Sequence, residues 1–216
     1  MLIQIYEANS AEEAEALSAL GVDHVGVLVG EGAYPRERAP EEALRIASGI
    51  CAPARLSALF LSADMDYVAR HARALSAPIV HLGALEREVS PAMLRALKRA
   101  LPEALLMRSL AVTGPESIEV AARYEGIADF LLLDTERGAQ LGALGLTHDW
   151  SISREIVRRV KVPAILAGGL GPDNVEAAIK AVRPAGVDSK TKTDIEGTHK
   201  KDLEKVRLFV EAARRA

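Results

Sequence analysis

Pro163-Ala164-Ile165-Leu166-Ala167-Gly168-Gly169-Leu170-Gly171-Pro172-Asp173-Asn174-Val175 runs an apolar strand into paired glycines and then into a proline-opened helix. Read by itself, the stretch is one strand-turn-helix unit. Its glycines make a tight turn or bring backbone amides against an anion, since no side chain blocks the approach. Pro172 suits the first helical position, and a helix beginning there would point its unsatisfied N–H groups and positive dipole end at a phosphate.

The same unit recurs in both directions along the chain. Leu2 to Tyr6 reads as a strand, and Ser10 with Glu13 forms a capping box for a helix through Leu20. His24 to Val29 is followed by the loop Gly30 to Arg38 and a helix from Pro40 to about Ser48. Arg55 to Leu61 precedes a helix from about Asp64 to Leu75, and Pro78 to Leu82 precedes one from Ser90 to Leu101. Ala104 to Val112 pairs with Pro115 to Tyr124, and Ala128 to Asp134 with Ser151 to Val160 across a long loop. Val162 to Ala167 with Pro172 to Val182, then Ala185 to Ser189 with Asp202 to Arg215, complete the series.

Eight strands alternate with eight helices, and the strands are almost wholly apolar, as in a parallel sheet buried on both faces. This predicts a single-domain (β/α)8 TIM barrel spanning residues 1–216. A doubly wound open sheet is the competing fold, and the count of eight in so compact a chain favours the barrel. Functional groups then lie at the strand C-terminal ends.

Composition narrows the function. The 216 residues carry 27 basic and 30 acidic groups, a net charge of −3, so no basic excess marks a nucleic-acid partner. There is no run of about 18 apolar residues to span a membrane and no signal-peptide pattern, so a cytoplasmic protein is expected. The lone cysteine, Cys51, reads as a core residue at the base of a strand, and Trp150 as a packing residue. No histidine or acid cluster stands at metal spacing, so no metal or other cofactor is expected.

At the expected mouth stand Tyr6, Glu7, Arg36, His81, Arg108, Asp134, the Gly168-Gly169 pair and the segment from Asp188 to Asp194. Asp134 ends Phe130-Leu131-Leu132-Leu133, where partial desolvation raises a carboxyl toward a proton donor's pKa; a loop cap is the alternative. Glu7 is the complementary base or a loop charge paired with Arg36. Arg36 offers a planar fork to a carboxylate, though it stands among Glu31, Glu37 and Arg38. His81 reads as a hydrogen-bonded interior imidazole bordering the substrate space. Lys190 and Thr191, beside the glycine turn, offer donors to a phosphate, and a solvated basic loop is the alternative.

Together these residues resemble the phosphoribosylanthranilate isomerase family of tryptophan biosynthesis. Leu133-Asp134-Thr135 is similar to the family's L-D-S/T. Gly142, Gly145, Thr147, Asp149 and Trp150 fit its G-G-T-G-x-T-x-D-W loop, and Leu166 to Val175 fits L-A-G-G-L-x-P-x-N-V. Pro35-Arg36, Val187-Asp188 and Lys201-Asp202 with Lys205-Val206 extend the likeness.

The resemblance implies a (β/α)8 barrel and an Amadori rearrangement of a small phosphorylated metabolite by a monomer or homodimer. An acid protonates the ribose ring oxygen, the ring opens, and a base removes the C2 proton. Asp134 falls on the family's acid, Arg36 on its carboxylate clamp, and Gly168 with Gly169 on its phosphate site.

The chain departs from the family at three places, one of them at strand four, where His81-Leu82-Gly83-Ala84 replaces Q-L-H-G. Gln4-Ile5-Tyr6-Glu7 replaces K-I-C-G, so Tyr6 stands where the family has its general base, a cysteine. A neutral phenol, with an ordinary pKa of about 10, is a poor base near neutrality. Ser189 to Asp194 replaces V-S-S-G-V-E, which removes one close-approach glycine. Two readings follow: an isomerase using Asp134 with Glu7 or Tyr6, or a non-catalytic paralogue that binds a phosphorylated ligand.

Overall fold

The computed structural model describes residues 1–137, 140–141 and 147–216, so Gly142 and Gly145 of the loop motif lie outside the described residues. Eight parallel strands close into a barrel: β1 (Leu2–Ile5), β2 (His24–Leu28), β3 (Arg55–Phe60), β4 (Ile79–Leu82), β5 (Leu105–Ala111), β6 (Phe130–Asp134), β7 (Ala164–Leu166) and β8 (Gly186–Ser189). Each pairs with its sequence neighbour, and β8 closes on β1 through Leu2↔Gly186 to Ile5↔Ser189. A two-stranded antiparallel ribbon, Glu136–Arg137 with Gln140–Leu141, follows β6. The helices are α1 (Ala11–Ala19), α2 (Pro40–Ala47), α3 (Met65–Ala74), α4 (Pro91–Ala100), α5 (Ser117–Ala122), α6 (Trp150–Arg159), α7 (Val175–Val182) and α8 (Leu203–Arg215).

Strand alternation divides the core in two. Ile3, Ile5, Val25, Val27, Leu106, Leu131 and Leu133 face the helices, whose apolar stripes, such as Leu94 and Leu97 of α4, cover them. Ile79, Met107, Leu132, Ile165 and Ala167 form a second cluster within the barrel. Above it the interior turns polar, with Gln4, Ser57, His81, Ser109 and Asp188 all buried. Apolar layers seal the base and leave a polar floor under the mouth.

The element boundaries match the expected ones to within a few residues, with instructive differences. Helix α7 starts at Val175, not at Pro172. Pro172 opens instead a turn in which Asn174 and Val175 both donate to the Gly171 carbonyl, at 3.2 and 3.0 Å. Ser10 caps α1 as expected by accepting from the Glu13 N–H, but the Glu13 carboxylate reaches past Ser10 to the Asn9 N–H (2.6 Å) and to the Lys201 N–H (2.7 Å). The loops after β1 and β8 are thereby joined. Cys51, expected in the core, is exposed, because Ala52-Pro53 keeps the chain in a turn until β3 begins at Arg55.

Candidate active site

A cavity of about 510 Å³ opens at the strand C-terminal ends. Tyr6, Glu7, Arg36, His81, Asp134, Gly168, Gly169, Lys190 and Thr191 all line it. Arg108, also expected at the mouth, does not: it is fully buried, with Nη1 donating to the Leu82 and Ala84 carbonyls at 2.9 and 2.6 Å. Among the described residues, no group of three His, Cys, Asp or Glu side chains is placed to share a metal ion.

Its floor is a buried hydrogen-bond chain. The Tyr6 hydroxyl lies 2.7 Å from Ser57 Oγ and 2.5 Å from His81 Nδ1, and His81 Nε2 lies 2.6 Å from Ser109 Oγ. Burial, with Arg108 nearby, lowers the His81 pKa to about 3, so the imidazole is neutral and one nitrogen donates while the other accepts. Burial likewise holds the Tyr6 phenol well above its ordinary range, against the opposing Ser57 hydrogen bond. The Tyr6 ring leans on Gly26, where a Cβ would stand only 2.1 Å from Tyr6 Cδ1. Two bulky groups at these positions cannot coexist.

Two carboxyls rise from this floor. Asp134, at the end of β6, accepts from the Thr135 N–H at 2.7 Å, and burial raises its pKa to about 6 despite that bond. Asp188 on β8 accepts from Gln4 Nε2 at 3.1 Å, and burial, then the Asp134 charge, raise its pKa to about 8. Asp188 carries no role in the sequence reading. Its signal is nonetheless the one that singles out Asp134: an acid at the end of an apolar strand.

On β7 the turn after Leu166 holds Gly168 and Gly169 at φ of 82° and 64°, the left-handed region that glycine enters without strain. A side chain on Gly168 would meet Thr135 Oγ1 at 2.4 Å. The carbonyls of this turn are tied back, Gly169 by Asn174 Nδ2 (3.0 Å) and Leu170 by Ser189 Oγ (2.7 Å). Among the described residues, the N–H groups of Gly168 and Gly169 have no protein acceptor. Lys190, Thr191 and Lys192 border the same side of the cavity.

The third wall is ionic. Glu7 Oε2 lies 3.2 Å from Arg36 Nε and 3.3 Å from Lys190 Nζ. Burial lowers the Lys190 pKa, and Glu7 opposes that shift. Glu7 and Arg36 both have left-handed backbones, with φ of 63° and 71°, which costs a non-glycine residue on the order of 1–2 kcal/mol. Glu7 stands where the resembled motif K-I-C-G has glycine, so the backbone shape is that of the glycine while a carboxylate has been added.

The family model described as N-(5'phosphoribosyl)anthranilate (PRA) isomerase matches residues 3–212. The N-(5'-phosphoribosyl)anthranilate isomerase of Methanocella arvoryzae is 36% identical over 213 residues, covering 98% of this chain and 97% of the relative. The crystal structure of phosphoribosyl anthranilate isomerase from Thermotoga maritima superposes with a TM-score of 0.84 at 24% identity, covering 100% of both chains. A solved phosphoribosyl anthranilate isomerase in complex with reduced 1-(o-carboxyphenylamino)-1-deoxyribulose 5-phosphate gives a TM-score of 0.82 at 24% identity, again over 100% of both chains.

Proposed function

Because the chain belongs to the N-(5'-phosphoribosyl)anthranilate isomerase family, we propose that it catalyses the Amadori-type isomerisation of an N-substituted 5-phosphoribosylamine to its 1-amino-1-deoxyketose. The observation that carries this reading is the Asp134 carboxyl, buried at a strand end on the cavity wall with its pKa raised to about 6. An ordinary aspartate is almost wholly ionised at neutrality, whereas this one keeps a protonated fraction there.

In this reading Asp134 gives its proton to the ribose ring oxygen as the C1–O bond breaks, and the nitrogen lone pair forms the C1=N bond. A base then takes the C2 proton, and the C–H electron pair becomes the C1=C2 bond as C1=N reverts to an amine. The resulting enol tautomerises to the ketose. Glu7 is assigned as that base. Tyr6, though it stands at the position of the family cysteine, has its oxygen held between Ser57 and His81 and keeps its proton. Its part is to brace His81 and the floor of the substrate space. The Gly168 and Gly169 amides with Lys190 and Thr191 receive the phosphate, and Arg36 receives a carboxylate on the amine substituent. The ligand named for the solved relative carries both groups, a carboxyphenylamine and a 5-phosphate. Neither the cavity nor the comparisons favour the non-catalytic alternative.

The test is turnover of N-(5'-phosphoribosyl)anthranilate by the wild type and by Asp134→Asn. Loss of general acid catalysis lowers kcat by about 10²–10⁴-fold, with phosphate-ligand affinity retained. In the wild type, kcat falls with rising pH above about 6 as Asp134 ionises. Undiminished kcat in the variant, or no turnover of this or any other N-substituted phosphoribosylamine by the wild type, defeats the reading.

A further inference from the structure

Glu7 lies between two cations because β1 lies between β2 and β8 in the closed barrel. Arg36 reaches it from the loop after β2, and Lys190 from the end of β8 beside the glycine turn. Both contacts run through one oxygen, Oε2, at 3.2 Å from Arg36 Nε and 3.3 Å from Lys190 Nζ. The carboxylate and the lysine side chain are each only 10% exposed, so solvent screens the pair poorly.

We propose that Glu7 is a displaceable internal counter-ion that makes this pocket selective for ligands carrying two separated anionic groups, one for Arg36 and one for Lys190. The inference rests on the isomerase reading for what the ligand is, but not for how the gate works. An anion arriving at either cation competes with Oε2. Because a single atom serves both cations, moving it off one also moves it off the other. The first anion therefore bears the cost of opening, and the second enters a site already open, so the two bind with positive and reciprocal coupling. A ligand that joins both anions gains from the whole effect, whereas a monoanion gains little. Displacement also detaches the carboxylate from its two cations only when such a ligand is seated, which ties recognition to the base assigned above. Glu7 and Arg36 both hold left-handed backbones that neither residue favours, and at 3.2 Å Glu7 Oε2 and Arg36 Nε meet as an ion pair without completing a hydrogen bond, which leaves the contact open to competition. The alternative is a fixed strut, in which Glu7 keeps Nε and the Nη groups of Arg36 bind the ligand; the two anions are then independent.

Isothermal titration of the intact protein with benzoate and with inorganic phosphate, each alone and each at saturation of the other, separates these cases. The gate predicts that each anion tightens the other by about five- to tenfold, equally in both directions. In Glu7→Gln each anion alone binds about five- to tenfold tighter than to the wild type, and the coupling factor falls to about one. Glu7→Gly, in which the left-handed backbone is unstrained, gives the same pattern and serves if the glutamine variant misfolds. Independent binding in the wild type, unchanged or weaker single-anion affinity in both variants, or no binding of either anion overturns the proposal. Turnover of N-(5'-phosphoribosyl)anthranilate by the wild type, assayed beside these titrations, separates the two claims. Coupling without any wild-type turnover keeps the gate and removes the isomerase reading, and turnover without coupling does the reverse.

Discussion

Asp188 is a buried carboxyl at the centre of the molecule whose ionisation destabilises the fold. Burial and the neighbouring Asp134 raise its pKa from 3.8 to about 8, so between those values the folded protein binds more protons than the unfolded chain. Stability therefore falls as pH rises through that window, and the full penalty is reached above about pH 8. Asp188→Asn removes the charge and keeps an oxygen for the Gln4 side chain to donate to. The variant is expected to be more stable than the wild type at pH 8 by on the order of 1–3 kcal/mol, with the difference vanishing near pH 4. Urea unfolding at the two pH values measures this, and a difference independent of pH would refute the assignment. Asp134 was legible in the sequence because an acid closes an apolar strand, and Asp188 offers the same mark. Ser57 and Ser109 were not legible, since a single hydroxyl within an apolar strand reads as an ordinary core substitution until the barrel turns both toward the Tyr6–His81 pair. Nor does any local pattern bring Glu7, Arg36 and Lys190 together; closure of the sheet does that.

The loop between β8 and α8 is the element that places Lys190. Lys201 has no exposed side-chain surface, is paired with Asp194, and donates to the Lys190 carbonyl at 3.3 Å. Lys205 adds a bond to the Asp194 carbonyl at 2.9 Å, and Asp202 caps α8 by accepting from the Glu204 and Lys205 N–H groups. The burial of Lys201 follows from the loop folding back on itself through the Asp194–Lys201 bridge. Lys201→Met leaves Asp194 buried and without its closest cation, which costs about 3–5 kcal/mol. Chemical denaturation reads that loss. Phosphate affinity falls with it, because Lys190 no longer has its carbonyl fixed. A variant within 1 kcal/mol of wild type would mean that Lys190 Nζ, 3.8 Å from Asp194, takes over the pairing. The start of α7 was misplaced for a related reason: proline fits the first position of a turn as well as that of a helix, and only the Asn174 side chain, bonded to both Gly169 and Gly171, reveals the turn.

Across the whole molecule, the barrel was readable because the eight strands are buried on both faces and so are mostly apolar, while the helices between them carry apolar stripes. What fills the interior was not readable, since inward and outward residues of such strands look alike. Packing inside a closed sheet binds distant positions to one another, and the pair Tyr6 and Gly26 on adjoining strands shows it. Gly26→Ala forces a methyl into the Tyr6 ring and is expected to cost about 1–3 kcal/mol or more by overpacking. Tyr6→Cys, which installs the cysteine of the resembled motif K-I-C-G, empties that volume and costs about 2–4 kcal/mol. In the double variant the methyl enters the vacated space, so the combined loss falls short of the sum by at least about 1 kcal/mol. Denaturant unfolding of the four proteins in the cycle measures the term. If the losses add within about 0.5 kcal/mol, the ring moves aside independently of Gly26. In that case the volume of the cavity floor beside Tyr6 is set by other residues, and the bulk at position 6 does not depend on the neighbouring strand.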